Sequence, residues 1–411
     1  MRRVVKVSRI RIIITIIVVV LTTLLTGCTG KEPNEIAYVV ALGIDSTDDD
    51  NYKITIQYAN TTQISGGASE SGGKAGSEIV DNVTIEAPNI YAGVGLANNI
   101  VSKSFSMSHA KLIVFSKEIA EKGVKDMIET LVRSEEIRPD VFIAVANTTA
   151  NDYLTSVNPE MEVNPAQYYQ LIYQKNQLVG IPDGQLREFF TGLYTDNYDS
   201  ILPVAGVIEG SGGNSQNDDK GQSKDGQNEG SEGSSESLDS FESKSSNEKD
   251  ENEKEKDAEK NTSKYEYDIK NYIGGETTIE KKNKAEAIGA AVFEKDKMVG
   301  ELGEVETEIC KMLKGDYTYS YLTYYNNDTP DIPITVKTTQ QKKPKYKIDT
   351  DKKTVDIELY IESDLYSLPA DYNVENKIED FERDVANYTS SACTEFINNF
   401  TKKYNSDILK L

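Results

Sequence analysis

The sequence predicts an α+β protein of two or three domains, with mixed sheets and helices and a long amphipathic helix near its C-terminal end. Three observations carry that reading. Residues 111–146 run strand, helix, strand, at the spacing of a right-handed crossover between parallel strands. Strand patterns crowd the second half, where Val355, Ile357, Leu359 and Ile361 alternate with polar neighbours. Finally, Ile378, Phe381, Val385, Tyr388, Ala392, Phe396 and Phe400 recur at three-to-four spacing, the apolar stripe of one helix. Strands followed by a long helix make the second half α+β.

The first element is not part of the fold. Arg2, Arg3, Lys6, Arg9 and Arg11 precede an apolar run from Ile12 to Leu25 broken only by threonines. That order is an export signal, and the run is short of the ~20 apolar residues a spanning helix needs. It ends Leu25-Thr26-Gly27-Cys28, which resembles the lipobox of bacterial prelipoproteins. Thr26 and Gly27 are small enough for a peptidase to close around the backbone. The Cys28 sulfur can take a diacylglyceryl group as a thioether, and its freed amine an acyl chain. Acyl chains contribute about 0.8 kcal/mol per buried methylene, so two or more hold where one is marginal. The competing reading is an uncleaved anchor with a chance cysteine. Residues 1–27 are therefore expected to be a lipoprotein signal peptide and 28–35 a lipid-anchored tether.

Residues 36–208 read as an N-terminal α/β region. Ile36–Ile44 and Tyr52–Ala59 are strands, the second with Tyr52, Ile54, Ile56 and Tyr58 on one face and Lys53, Thr55 and Gln57 on the other. The acidic turn Asp45–Asn51 lacks the glycine and distal glutamate of a calcium loop. A Gly/Ser-rich loop at 65–77 leads to a helical face of Ile90, Val94, Ala97 and Val101. Gly93 and Gly95 lie inside that helical pattern, and Asn98 breaks the dinucleotide motif. Lys111–Phe115 is a strand. Ser116 caps a helix whose face is Ile119, Ala120, Val124, Ile128 and Leu131, and Val141–Ala146 is the next strand. Helices follow near 166–175 and 184–193, the second with Asp183 as its cap.

From 209 to 264 Ser, Gly, Asn, Gln and charged residues displace nearly all apolar side chains, the composition of a disordered acidic linker. Residues 265–411 read as a C-terminal α+β domain. It has a hairpin, Ala287–Phe293 with Met298–Gly300, around Lys295-Asp296-Lys297. A short helix marked by Leu302, Val305, Ile309 and Met312 stops at Gly315. Strands at 317–324, 332–338 and 355–361 precede the long helix.

Composition removes several functions. A net charge of −23 argues against nucleic acid, and against a basic patch holding the folded part on anionic lipid. One histidine, His109, and three cysteines, Cys28, Cys310 and Cys393, leave neither a disulfide scaffold nor a usual zinc site. His109 reads as a structural hydrogen-bonding residue. Cys310 and Cys393 read as buried thiols, with a disulfide as the alternative. No GxSxG, Walker loop, HExxH or CxxC occurs. No catalytic, metal or cofactor-binding residue is assigned, and no cofactor is expected.

Many short matches in order then resemble the Ger(x)C lipoproteins, the C subunits of spore nutrient germinant receptors. They are the lipobox at Cys28, Gly43-Ile44-Asp45, the strand Tyr52–Gln57, Ser108-His109-Ala110-Lys111 before Leu112–Ser116, Glu118-Ile119-Ala120 with Gly123, Arg133–Arg138, and Leu202-Pro203. In the second half they are Ala290–Phe293, Lys297–Gly300, and Leu302 with Glu306. The resemblance implies a non-enzymatic receptor subunit acting in assembly or signal transmission during germination. It implies a place on the outer face of the spore inner membrane, held by the lipid anchor, with integral-membrane A and B subunits as partners. The linker departs from the family pattern. So does the stop at Ser406–Leu409, where the family continues into further strands; an incomplete third domain and a truncated sequence are both open. The other readings are a solute-binding lipoprotein of a membrane transporter, which needs two similar lobes, and a cell-wall hydrolase, which needs a distinct carboxylate pair.

Overall fold

The computed structural model describes residues 11–20, 35–49, 51–59, 80–158, 162, 164–174, 180–196, 198–208, 271–277, 283–326, 329–368, 377–404 and 406–409. The lipobox, most of the tether, the Gly/Ser-rich loop and the acidic segment 209–264 lie outside them. The elements are α1 (residues 11–20), β1 (Ile36–Ser46), β2 (Tyr52–Ala59), β3 (Val80–Ala87), α2 (Ile90–Ala97), β4 (Ser104–Ser106), β5 (Leu112–Ser116), α3 (Lys117–Lys122), α4 (Lys125–Val132), β6 (Phe142–Ala146), α5 (Ala150–Ser156), α6 (Pro165–Tyr173), α7 (Leu186–Tyr194), β7 (Ile201–Val207), β8 (Ala285–Glu294), β9 (Lys297–Leu302), α8 (Glu304–Lys314), β10 (Tyr319–Asn326), β11 (Thr329–Asp349), β12 (Thr354–Ser367) and α9 (Ile378–Lys403). The α+β class is observed.

One mixed sheet of nine strands runs β3-β2-β1-β5-β6-β7-β8-β9, with β4 pairing β1. The strands β1, β5, β6 and β7 are parallel, as the crossover pattern predicts, and both flanks are antiparallel. Every residue of β5 and β6 is buried, because helices cover both faces. Alternate side chains feed two cores. Ile113, Phe115, Ile143 and Val145 face α2, α3, α4 and α7, while Leu112, Val114, Ala144 and Ala146 face α5 and α6.

The sheet crosses the acidic segment. Ile201 to Val207 of β7 pairs antiparallel with Val292 to Ala285 of β8, so the second half's first hairpin extends the first half's sheet. The backbone around 274 comes so close to Gly206 that a Cβ there would overlap Gly274 and Gly275. The Asn147 amide also donates to the Gly274 carbonyl.

A second sheet, β10-β11-β12, is antiparallel. α9 joins the two. Its N-terminal half packs Phe381, Val385 and Tyr388 on Tyr324, Ile334 and Val336. Its C-terminal half packs Ala392, Cys393, Phe396 and Phe400 with α8 against Ala290 and Val292. Ile378, placed on the apolar stripe by periodicity, is exposed.

Three local expectations differ from the structure. The helix across 119–131 is two helices, α3 and α4, broken at Gly123 with φ 124°. The break lets the Val124 N–H reach the Asp296 carbonyl in the β8–β9 turn, at 3.0 Å, and a Cβ at Gly123 would meet the Asp296 carboxylate. Thr55 and Gln57, on the polar face of the alternating β2 strand, are also fully buried because α5 and α6 cover them. Gln57 donates to the Leu154 carbonyl at 2.8 Å and accepts from the Tyr169 hydroxyl at 2.5 Å. Asp45 belongs to β1 rather than to the turn and is buried. Asp183 does not cap α7, since Gln185 occupies the N-cap position without a side-chain bond. Ser116 does cap α3, accepting from the Ile119 N–H at 3.4 Å.

Candidate functional site

The lipidation residues Leu25, Thr26, Gly27 and Cys28 fall outside the described residues, so their assignment rests on sequence. Residues 11–20 are helical and solvent-exposed, and among the described residues no helix is long and apolar enough to cross a membrane.

The other residues singled out have structural surroundings. His109 is exposed in the turn before β5, with its Nδ1 3.0 Å from the Ser108 hydroxyl and its ring edge-on to Tyr38. Cys310 on α8 and Cys393 on α9 are free and buried in one apolar cluster. Burial pushes their thiols up, to about 11 and about 12. Glu306 reaches back to the start of α8, accepting from the Gly303 N–H and the Asn271 amide at 3.0 Å each. In the Arg133–Arg138 segment, Arg133 pairs with Glu129, and Arg138 grips Asp140 through two nitrogens at 2.9 and 3.0 Å.

Asp45, ending the Gly43-Ile44-Asp45 motif, accepts from the Ala150 and Asn151 N–H groups at 2.6 and 3.0 Å. Its carboxylate thus ties β1 to the first turn of α5, where orphan N–H groups and the helix dipole favour negative charge. Burial raises its pKa and these two bonds oppose the rise.

A cleft of about 450 Å³ with several charged residues in its wall lies where the two halves meet, between the segment entering α7, the segment entering β7, and the end of α8. Asp183, Tyr198, Lys311, Lys314 and Asp316 line it. Lys311 is only 6% exposed, and its Nζ donates to the Ile181 carbonyl at 3.0 Å. Burial pulls its pKa down, while Glu308, Asp316 and Asp183 pull it up. Burial likewise raises Asp183. Lys314 lies over the Tyr198 ring at 5.2 Å. Behind the cleft, burial pushes the Glu308 carboxyl up to about 8, against a 3.1 Å bond from the Ser320 hydroxyl.

Below it Asp199 holds three segments together. One oxygen accepts from the Lys295 N–H and the other from the Asp407 N–H, both at 2.9 Å. That arrangement fastens the β8–β9 turn and the docked 406–409 segment to the segment just before β7. Ile408 is fully buried there. Chemically this region offers charges of opposite sign near one another and a backbone carbonyl held by Lys311, which suit fastening or holding a small polar group. Among the described residues no cluster of three His, Cys, Asp or Glu could hold a metal ion.

Sequence reasoning missed Lys311, Asp183 and Asp199 as a group. Lys311 sits between Cys310 and Met312 on a helix buried nearly all round at its C-terminal end. A 3.6-residue period marks one face and carries no sign that the opposite face will be covered as well.

Comparison with known proteins covers both halves. The model of the spore germination protein N-terminal domain matches residues 30–207, and that of the spore germination B3/GerAC-like C-terminal domain matches 288–411. Spore germination protein KC of Bacillus subtilis (strain 168) is 26% identical over 174 residues, 39% of this chain and 42% of that protein. Putative spore germination protein YfkR of the same organism is 28% identical over 145 residues, 35% and 37% of the two chains. Spore germination protein GerQC of Bacillus cereus is 27% identical over 104 residues, 25% and 29%. The matched stretch spans less than half the length of each of these relatives. The crystal structure of the GerBC protein aligns over 90% of this chain and 84% of that one, with a TM-score of 0.44 and 14% identity.

Proposed function

The chain belongs to the GerAC-like family of spore germination proteins, and from that membership we propose that it is a lipid-anchored, non-enzymatic C subunit of a nutrient germinant receptor. The observation that carries the reading is the pair of family matches on either side of the acidic segment, joined in one molecule by the β7–β8 pairing. The subunit acts in assembly or signal transmission beside integral-membrane A and B subunits. The anchor is a diacylglyceryl thioether and N-acyl group on Cys28, at the outer face of the spore inner membrane. Tethering raises the local concentration of the folded part near its partners, so each protein contact can be modest.

Two features support a binding role over catalysis. The lone histidine is an exposed turn residue, and both described cysteines are buried thiols whose burial disfavours the reactive thiolate. The domain organisation proposed with this role is a signal peptide (1–27), a tether (28–35), two family regions (36–208 and 265–411) and an acidic linker (209–264). The test is nutrient-triggered germination of spores lacking the gene, complemented with the wild-type or the Cys28→Ala allele. Loss or slowing of germination in the null strain, restored by wild type and poorly by Cys28→Ala, is expected. A null strain that germinates normally on every nutrient, with no paralogue present, would count against the receptor role.

A further inference from the structure

The second sheet carries a feature outside that reading. β11 and β12 pair in register to Asp349 and Thr354, forming a two-stranded ribbon closed by the turn 350–353. Its inner face is apolar. Tyr346 opposite Ile357 is the last partly covered pair, and the Tyr346 hydroxyl donates to the Leu313 carbonyl at the end of α8. One pair further out, Ile348 faces Val355, and these side chains are 54% and 40% exposed. The apolar face therefore outruns the core that covers it by one cross-strand pair.

That pair is ringed by cations. Positions 342–355 hold six lysines, at 342, 343, 345, 347, 352 and 353, against Asp349 and Asp351, in a chain whose net charge is −23. All six lysines are exposed. Some of this charge is compensated. Lys352 lies 3.3 Å from Asp349, Lys345 lies 3.8 Å from Glu358, and Lys347 stands opposite Asp356 in the register. These are exposed contacts that a stronger field of opposite sign can outcompete. Lys343 and Lys353 have no acidic neighbour across the ribbon in that register.

We propose that this ribbon tip docks on an anionic phospholipid surface, with Ile348 and Val355 entering the headgroup boundary and the surrounding lysines meeting lipid phosphates. Two apolar side chains at the end of a ribbon offer far less area than the roughly 800 Å² per partner of a stable protein interface. A bilayer needs no such area. Each lysine near an anionic leaflet raises partition about five-fold, and shallow apolar insertion adds to that. The whole-chain charge argues against lipid contact only as an average, because screening confines each charge's reach to about 8 Å. The tip is thus a local site in an otherwise acidic molecule, and it would fix which way the second sheet faces the membrane. The inference does not depend on the lipid anchor.

The chain contains no tryptophan, so one indole reports the tip alone. The full chain carrying Ile348→Trp, with Val355→Trp as an independent second reporter, is mixed with vesicles of phosphatidylcholine alone or with added phosphatidylglycerol. Both positions lie on an exposed strand pair that accepts an aromatic residue, and circular dichroism checks the fold. The expected result is blue-shifted emission and quenching by brominated lipid in anionic vesicles only. Changing Lys343, Lys347, Lys352 and Lys353 to Glu should lower the docked fraction more than ten-fold. The amino-terminal segment is identical in the wild-type and lysine-to-glutamate chains, so its own affinity for anionic lipid cancels between those two arms, and failure here leaves the anchor reading untouched. An indole that stays water-exposed in all vesicles overturns the proposal and leaves the tip to solvent or an acidic protein. Equal burial in neutral and anionic vesicles, or burial unaffected by the charge changes, overturns it too.

Discussion

Glu308→Gln should make this protein more stable at pH 8 and leave it nearly unchanged at pH 5. The wild-type carboxyl is raised from 4.5 to about 8 by burial, with Glu304 adding to the rise and the Ser320 hydroxyl and Lys311 opposing it. In the unfolded chain it ionises near its ordinary value. A carboxyl whose folded pKa lies above its unfolded one favours folding while protonated. That contribution is fully present below about 4.5 and is lost as pH rises towards about 8. At 1.36 kcal/mol per pKa unit the full shift corresponds to about 5 kcal/mol. Glu308 retains partial exposure, and solvent screening cuts the usable part to about 1–2 kcal/mol. Glutamine keeps the acceptor for Ser320 and has no proton to lose. The assay is thermal unfolding of both proteins between pH 5 and 8. The Tm difference should grow with pH to about 2–4 °C in favour of the variant. Other raised carboxyls, such as Asp45 and Asp183, tilt both curves alike and drop out of the difference. A variant less stable at pH 8, or a gap that does not widen with pH, would refute the assignment of a strained buried carboxyl.

Three other outcomes follow from the same geometry. Asp45→Ala removes the acceptor of two N–H groups at the start of α5 and should cost about 1–3 kcal/mol in urea unfolding, more than an exposed Asp48→Ala control. Cys310 and Cys393 should stay unreactive to a thiol reagent at pH 8 in the unlipidated native chain and both react after denaturation; rapid labelling of the folded protein would contradict their placement in the core. His109→Ala loses a Ser108 contact and an edge-on Tyr38 contact at the surface, so spores carrying it at normal protein level should germinate at close to the wild-type rate, and an abundant, folded, inactive variant would show that the residue does more.

The order and type of most elements were legible because each carries its own local signal. The β5 and β6 strands are short apolar runs, α9 has a sustained three-to-four period, and Ser116 and Gly315 sit where a helix start and stop require them. The family resemblance was legible in the same way, through short matches in a fixed order, and both halves of the chain bear it out. The edge strands β3 and β4 went unread because their signals are short: the alternation of β3 rests on Val83, Ile85 and Ala87, and β4 has three residues.

Sequence by itself determined the α+β class, the long C-terminal helix and the apolar face of each element. It is also the sole basis for reading Cys28 as a lipid site. Only the tertiary structure decided what covers those faces. It buried Thr55 and Gln57 under α5 and α6, split α3 from α4 to admit the β8–β9 turn, and carried the sheet across the acidic segment by pairing β7 with β8. It also enclosed Lys311 beside Asp183 and Asp316, and left Ile348 and Val355 beyond the reach of their core. A periodic pattern records which side of an element avoids water, since burial of apolar area acts residue by residue. Which distant segment supplies the cover, and whether it reaches far enough, depends on packing between residues from about 80 to more than a hundred positions apart, and no local pattern encodes that.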